Sequence, residues 1–249
     1  MHACTLPPEV IERMTARRGR PYAFERLDPA RTALVTIDMQ NAFLAPGAVA
    51  EVPVAREVVP NVNRLAGAVR ECGGCVAWVR THVYPHEPGG GWPLFFGEIL
   101  GEQLTRAYLA ALARGSDGHR WFERLEMLPG DMEVEKTRFS AFLPGACDLA
   151  ERLTGAGIDT VLIAGTLTNV CCESSARDAM MRGFRVILVE DANATRSDAE
   201  HQAALVNVHQ VFGDVRKTDD VIALLAAGAS GAWHQPLAFP SERRTPRPR

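Results

Sequence analysis

The run TVLIAGTLTNVCCESSARDA, Thr160–Ala179, holds a strand and the helix that follows it. Thr160 to Ala164 is continuously apolar and β-branched, without alternation, which suits a strand covered on both faces. Beyond Gly165 the apolar positions Val170, Cys172, Ala176, Ala179 and Met180 recur with helical spacing, and Thr168 or Asn169 can cap that helix. Cys171 therefore falls in the first helical turn, where unpaired N–H groups and the positive end of the dipole favour a thiolate near neutral pH. Its neighbour Cys172 takes the packing side.

Working outward, the same alternation recurs. Thr32 to Asp38, Val76 to Thr81, a weak strand at Val134, Arg185 to Glu190 and a short strand near Val215 read as further strands. Between them, Ala55 to Arg70, Ile99 to Ala113, Cys147 to Thr154 and Asp198 to Phe212 read as helices, with a last one from Asp219. This order predicts an α/β fold: one doubly wound, mostly parallel six-stranded sheet of Rossmann-like type with helices on both faces. Residues 1–28 are a charged N-terminal extension, 29–238 the domain, and 239–249 a Pro/Arg-rich tail expected to be disordered.

Composition narrows the function. The chain has 249 residues, 47% of them hydrophobic, and a formal net charge of −3, so it can bury a core and offers no basic groove for nucleic acid. No apolar run is long enough for a membrane span. The first twenty residues carry Glu9, Glu12, Arg13 and Arg17, unlike a signal peptide, and a soluble cytoplasmic protein is expected. Six cysteines in such a chain are expected to be reduced; Cys72-Gly-Gly-Cys75 reads as a helix-to-strand turn, with a redox pair or half a zinc site as the alternative. No glycine-rich phosphate cradle follows any strand, so no nucleotide cofactor is expected.

Sheets of this kind bind ligands outside the carboxyl ends of their strands, where strand order reverses. Asp38 closes the first strand, Lys136 follows the third, and Cys171 opens the helix after the fourth. A carboxylate after a wholly apolar strand needs a compensating cation, and Lys136 is available. Taken singly, Asp38 could instead cap a helix and Lys136 could lie on a solvated face.

VTIDMQNAF (35–43), EKTRFSAF (135–142) and GTLTNVCCESSARDA (165–179) together resemble the cysteine hydrolases of the isochorismatase-like superfamily, which includes nicotinamidases, N-carbamoylsarcosine amidases, ureidoacrylate amidohydrolases and biuret hydrolases. The resemblance runs from about Pro29 to Ala227. It implies a catalytic triad of Asp38, Lys136 and Cys171, a cis peptide between Thr166 and Leu167, and an oxyanion hole from the N–H groups of Leu167 and Cys171. It also implies C–N hydrolysis of a small molecule through a Cys thioester without a cofactor, by a homo-oligomer, dimer or tetramer. True isochorismatases lack the nucleophilic cysteine, so that activity is not expected. Nicotinamidases carry an Asp-x-His metal motif after the first triad motif, but 45–57 (APGAVAEVPVARE) contains no histidine, and only His82 and His86 remain as a metal-like pair. No metal is expected.

For the substrate, Arg196 in DANATRSDAEH resembles the arginine that grips a carboxylate in N-carbamoylsarcosine amidases, and Gln210 in NVHQVFGDV resembles a glutamine that contacts substrate in biuret hydrolases. The plain alternatives are a surface arginine before a helix capped by Ser197 and a glutamine on that helix's solvated face. The neighbouring matches around Gln210 favour it, and with it a neutral ureide over a ureido acid. Gln40, Phe43, Trp92, Phe139 and Phe142 are further candidates for the pocket wall, although such aromatics are as often core. A non-catalytic binding protein on the same fold is the reading from another class.

Overall fold

A computed structural model describes residues 1–84 and 91–231. His86 and the tail 239–249 lie outside the described residues. The six strands are β1 (Thr32–Ile37), β2 (Cys75–Thr81), β3 (Met132–Lys136), β4 (Thr160–Thr166), β5 (Arg185–Ala194) and β6 (Asp214–Arg216). They form one sheet in the order β3-β2-β1-β4-β5-β6, and every pairing is parallel. The α/β doubly wound expectation is borne out, and the sheet is wholly parallel.

Each central strand is buried on both sides, and alternate residues serve opposite cores. Leu34, Trp78, Leu162 and Ile187 pack under α3 (Ala55–Glu71) and α8 (Thr218–Ala229). Val35, Val79, Ile163 and Leu188 pack under α5 (Leu149–Gly155), α6 (Glu173–Met181) and α7 (Asp198–Asn207). The continuous apolar runs are thus the signature of a two-faced strand.

The leader is more than a charged extension. It contains helix α1 (Pro8–Arg18), whose Val10 and Met14 are buried, and Leu6 and Leu27 are buried on either side of it. The charges of this segment hide an apolar stripe, Leu6, Val10 and Met14, at four-residue spacing. Expected helix Ile99–Ala113 is a π-type segment, Leu94–Ile99, followed by α4 (Glu102–Leu112), and α2 is one short turn, Asn41–Leu44. All six cysteines are free thiols. At Cys72–Cys75 the chain turns: Gly73 has φ +81°, and a Cβ on Gly74 would come 2.9 Å from the Thr32 carbonyl oxygen. The turn therefore requires its glycines for backbone reasons.

Candidate active site

Strand order reverses between β1 and β4, with β1 paired to β2 on its other side. The carboxyl ends of β1, β2 and β3 bring Asp38, Thr81 and Lys136 together. Thr81 stands opposite Lys136 in the β2–β3 register, and the Asp38 N–H donates to the Val79 carbonyl at 2.8 Å. Asp38 sits at φ +55°, a left-handed conformation that turns the chain sharply out of the strand.

Lys136 is fully buried, and its ammonium group donates to Asp38 Oδ2 at 2.8 Å, Thr81 Oγ1 at 2.6 Å and the Arg138 carbonyl at 3.2 Å. Its Nζ also lies 3.6 Å from Cys171 Sγ. Thr81 Oγ1 in turn donates to Asp38 Oδ1 at 2.8 Å, so both carboxylate oxygens are engaged. Burial by itself would lower the Lys136 pKa, but the Asp38 carboxylate and Cys171 more than offset it and hold the ammonium above the ordinary lysine value. Thr81 was missed in the sequence; the signal for it was its place as the last residue of a strand ending on the rim.

Cys171 is 4% exposed and falls in the first helical turn, as expected, but that turn is of π type. It lies in a π turn, Thr168–Cys172, that precedes α6, and neither Thr168 nor Asn169 caps it. Thr168 Oγ1 is bonded to His201 Nδ1 at 2.9 Å, and Asn169 Oδ1 accepts from Thr195 Oγ1 at 2.6 Å. The surroundings of the sulfur also work against the expected thiolate. Burial pushes the Cys171 thiol well up, Lys136 pulls the other way, and the neighbouring Asp38 carboxylate raises it again. Burial and the Asp38 carboxylate thus favour the protonated sulfur, while the Lys136 ammonium 3.6 Å away favours the thiolate. Cys172 is fully buried in the core under α6, as the packing reading required.

The peptide bond between Thr166 and Leu167 is cis. Just before it, Gly165 has φ +121°, and a Cβ there would lie 2.1 Å from the Ile37 carbonyl oxygen. Only glycine lets β4 pass this close to β1 at the turn.

The remaining candidates divide. Arg196 is exposed on the turn after β5, whose last residue, Ala194, pairs with Thr166, and it makes no ion pair among the described residues. Gln210 is not on this rim within the chain. The helix α7 runs back from the rim, and Gln210 sits in the π turn Val208–Phe212 that leads into β6, whose first residue pairs with Ile187 near the start of β5. A one-dimensional match could not show that the helix carries it to the opposite edge. Gln40 is fully buried and spends its amide on backbone: Oε1 accepts from the Thr81 N–H at 2.7 Å, and Nε2 donates to the carbonyls of Thr81 at 3.0 Å and His119 at 3.3 Å. It braces the loop that carries Asp38.

Among the aromatics, Trp92 packs edge-on against Phe139 at 4.6 Å, and the Arg138 guanidinium lies 5.0 Å over the Trp92 ring, next to the carbonyl that Lys136 binds. Phe142 is fully buried against Phe184, and Phe43 belongs to the core under α3. These two are packing residues: Phe43 points from α2 into the core under α3, and the turn after β3 lays Phe142 against Phe184. Two open clefts of about 720 and 740 Å³ lie elsewhere, one between α3 and α8 and one beside β3, and neither is lined by Cys171. Among the described residues no three His, Cys, Asp or Glu side chains are grouped to hold a metal ion, and no helix is long and apolar enough to cross a membrane.

Comparison with known proteins gives the same outline. The Isochorismatase domain family matches residues 32–220. A ureidoacrylate amidohydrolase, RutB, of Pseudomonas savastanoi pv. phaseolicola is 32% identical over 227 residues, covering 86% of this chain and 91% of that protein. A cysteine hydrolase from Pseudomonas syringae pv. phaseolicola superposes with a TM-score of 0.74 at 27% identity, covering 84% of this chain and 99% of that one. The N-carbamoylsarcosine amidase of Thermoplasma acidophilum does so with a TM-score of 0.61 at 27% identity, over 76% and 97%.

Proposed function

Because the chain belongs to the isochorismatase family, we propose that it is a cysteine amidohydrolase that cleaves a C–N bond of a small ureido acid, with Asp38, Lys136 and Cys171 as its reacting groups. The observation that carries this reading is the buried contact of a carboxylate, an ammonium and a thiol at the point of strand reversal. The names of the ureidoacrylate amidohydrolase and the N-carbamoylsarcosine amidase both denote substrates with a ureido group and a carboxylate. That favours a ureido acid over a neutral ureide such as biuret. Arg196, exposed and without an ion-pair partner among the described residues, is the cation for that carboxylate, which a guanidinium holds by two parallel hydrogen bonds.

In this mechanism Asp38 takes the Cys171 proton as the sulfur attacks the carbonyl carbon, so the thiolate forms only as it is consumed. Lys136 balances the negative charge while it passes between carboxylate and sulfur. The N–H groups of Leu167 and Cys171 receive the oxyanion. Asp38, now a carboxylic acid, gives its proton to the departing nitrogen; the C–N bond breaks and the carbonyl stays on sulfur as a thioester. Water then loses a proton to Asp38 and attacks, the C–S bond breaks, and the proton returns to sulfur. A carbamic acid formed this way decomposes to ammonia and carbon dioxide.

The test is ammonia release across ureido acids, biuret, simple amides and nicotinamide, with two cysteine variants. Cys171→Ala should lose about a thousandfold or more in kcat while keeping its fold. Cys172→Ala should retain turnover and lose about 1 kcal/mol of stability through the buried volume it removes. Turnover by Cys171→Ala would end the reading of Cys171 as nucleophile, no ammonia from any of these substrates with the unaltered protein would return it to the non-catalytic class, and preference for biuret would restore the neutral ureide.

A further inference from the structure

The N-terminal segment docks on the rim. The His2 side chain is 4% exposed and lies between the two residues that flank Arg196 and Ser197. The Thr195 N–H donates to His2 Nε2 at 3.0 Å, which leaves the proton on Nδ1, and that N–H donates to Asp198 Oδ1 at 2.7 Å. The imidazole stacks on His201 at 4.2 Å, and His201 holds Thr168 of the nucleophile turn. Cys4 and Thr5 extend the contact, with the Cys4 thiol donating to the Asp198 carbonyl at 3.2 Å and Gln202 donating to the Thr5 carbonyl at 3.1 Å.

We propose that His2 is a positioning residue for substrate recognition: it fixes the Thr195–Asp198 turn, so that Arg196 is held on a rigid backbone beside the turn that carries Cys171. Thr195 is tied on its other side to Asn169, two residues before Cys171, so the turn is clamped from both directions. The arginine itself is left with its guanidinium available. A recognition group on a fixed backbone loses less freedom on binding than one on a mobile loop, and the binding constant gains accordingly. His2 reaches the substrate only through Arg196, and this inference rests on the reading of Arg196 as the carboxylate receptor.

The experiment compares His2→Ala, His2→Gln and Arg196→Ala in the full chain, on a ureido acid and on an uncharged ureide of similar size. His2→Ala should raise KM for the acid about tenfold with kcat within threefold, and KM for the uncharged ureide should move less than twofold. Glutamine carries an acceptor and a donor as far apart as the two ring nitrogens, so His2→Gln should recover most of the affinity. An unaffected His2→Ala beside a weakened Arg196→Ala overturns the positioning role alone. Equal losses on both substrates, unrelieved by glutamine, mark general loosening and overturn it too. An Arg196→Ala variant that binds the acid normally overturns the carboxylate reading and this inference with it.

Discussion

At the scale of single residues, the site turns on one carboxylate that acts in two opposed ways. Asp38 raises the Cys171 pKa by its charge and its hydrogen bond, while Lys136 lowers it. Asp38 is also the proton acceptor in the proposed mechanism, so a neutral isostere separates the two effects. Asp38→Asn should cost about a thousandfold in kcat, a value typical of losing a residue that acts as one unit with its nucleophile. The same variant should be alkylated by iodoacetamide at pH 8 faster than the unaltered protein, because the thiolate then faces Lys136 alone. Alkylation slowed in step with turnover would show that Asp38 activates the resting thiol, contrary to this account. The motif around Cys171 was legible in the sequence, but its protonation was not. Helix-end placement argued for a thiolate, whereas desolvation and a carboxylate from a strand far away in sequence push the thiol the other way.

At the scale of elements, the rim depends on an irregularity in β5. Leu188 pairs with Ile163, but the next pairing joins Asn193 to Gly165, so β5 carries extra residues where β4 approaches the cis bond. The fully buried Asn193 amide bridges the gap, donating to the carbonyls of Ile163 at 2.8 Å and Val189 at 2.6 Å. Asn193→Leu leaves two buried carbonyls without that donor and should cost about 2–6 kcal/mol, since each unsatisfied buried polar group costs about 1–3 kcal/mol. A urea midpoint equal to that of the unaltered protein would sink this assignment. The sequence marked β5 as ending at Glu190; the strand continues to Ala194, with the Asn193 amide bonded across the ladder that the bulge interrupts.

At the scale of the whole molecule, buried imidazoles couple folding to pH. Burial, with His2 nearby, holds the His201 pKa down to about 3, and burial lowers His119 and His209 as well. In the unfolded chain histidine takes up a proton near pH ~6.5. Below that pH the unfolded state binds more protons than the folded one, so stability is complete above about pH 6.5 and declines toward about pH 3. Glu190, pushed up by burial, opposes this trend with a single carboxyl against three imidazoles. Urea midpoints should therefore be lower at pH 5.5 than at pH 7.5 with the same m-value, and a midpoint unchanged between the two would refute the coupling.

The sequence by itself determined the parallel sheet and the order of its strands along the chain, because apolar periodicity is a local property, and it placed Asp38, Lys136 and Cys171 as candidates at the strand ends. It also separated Cys171 from Cys172, since neighbours on a turn point to different sides. Only the tertiary structure decided that Thr81 bridges Asp38 and Lys136, that Gln40 braces a loop, and that Arg196 lies at the rim while Gln210 lies at the far edge of the sheet. It alone brought His2 to Thr195, across 193 positions of chain. These are contacts between segments distant in sequence, and a hydrogen bond or a buried charge is fixed by where its partner sits in space rather than by the residues beside it along the chain.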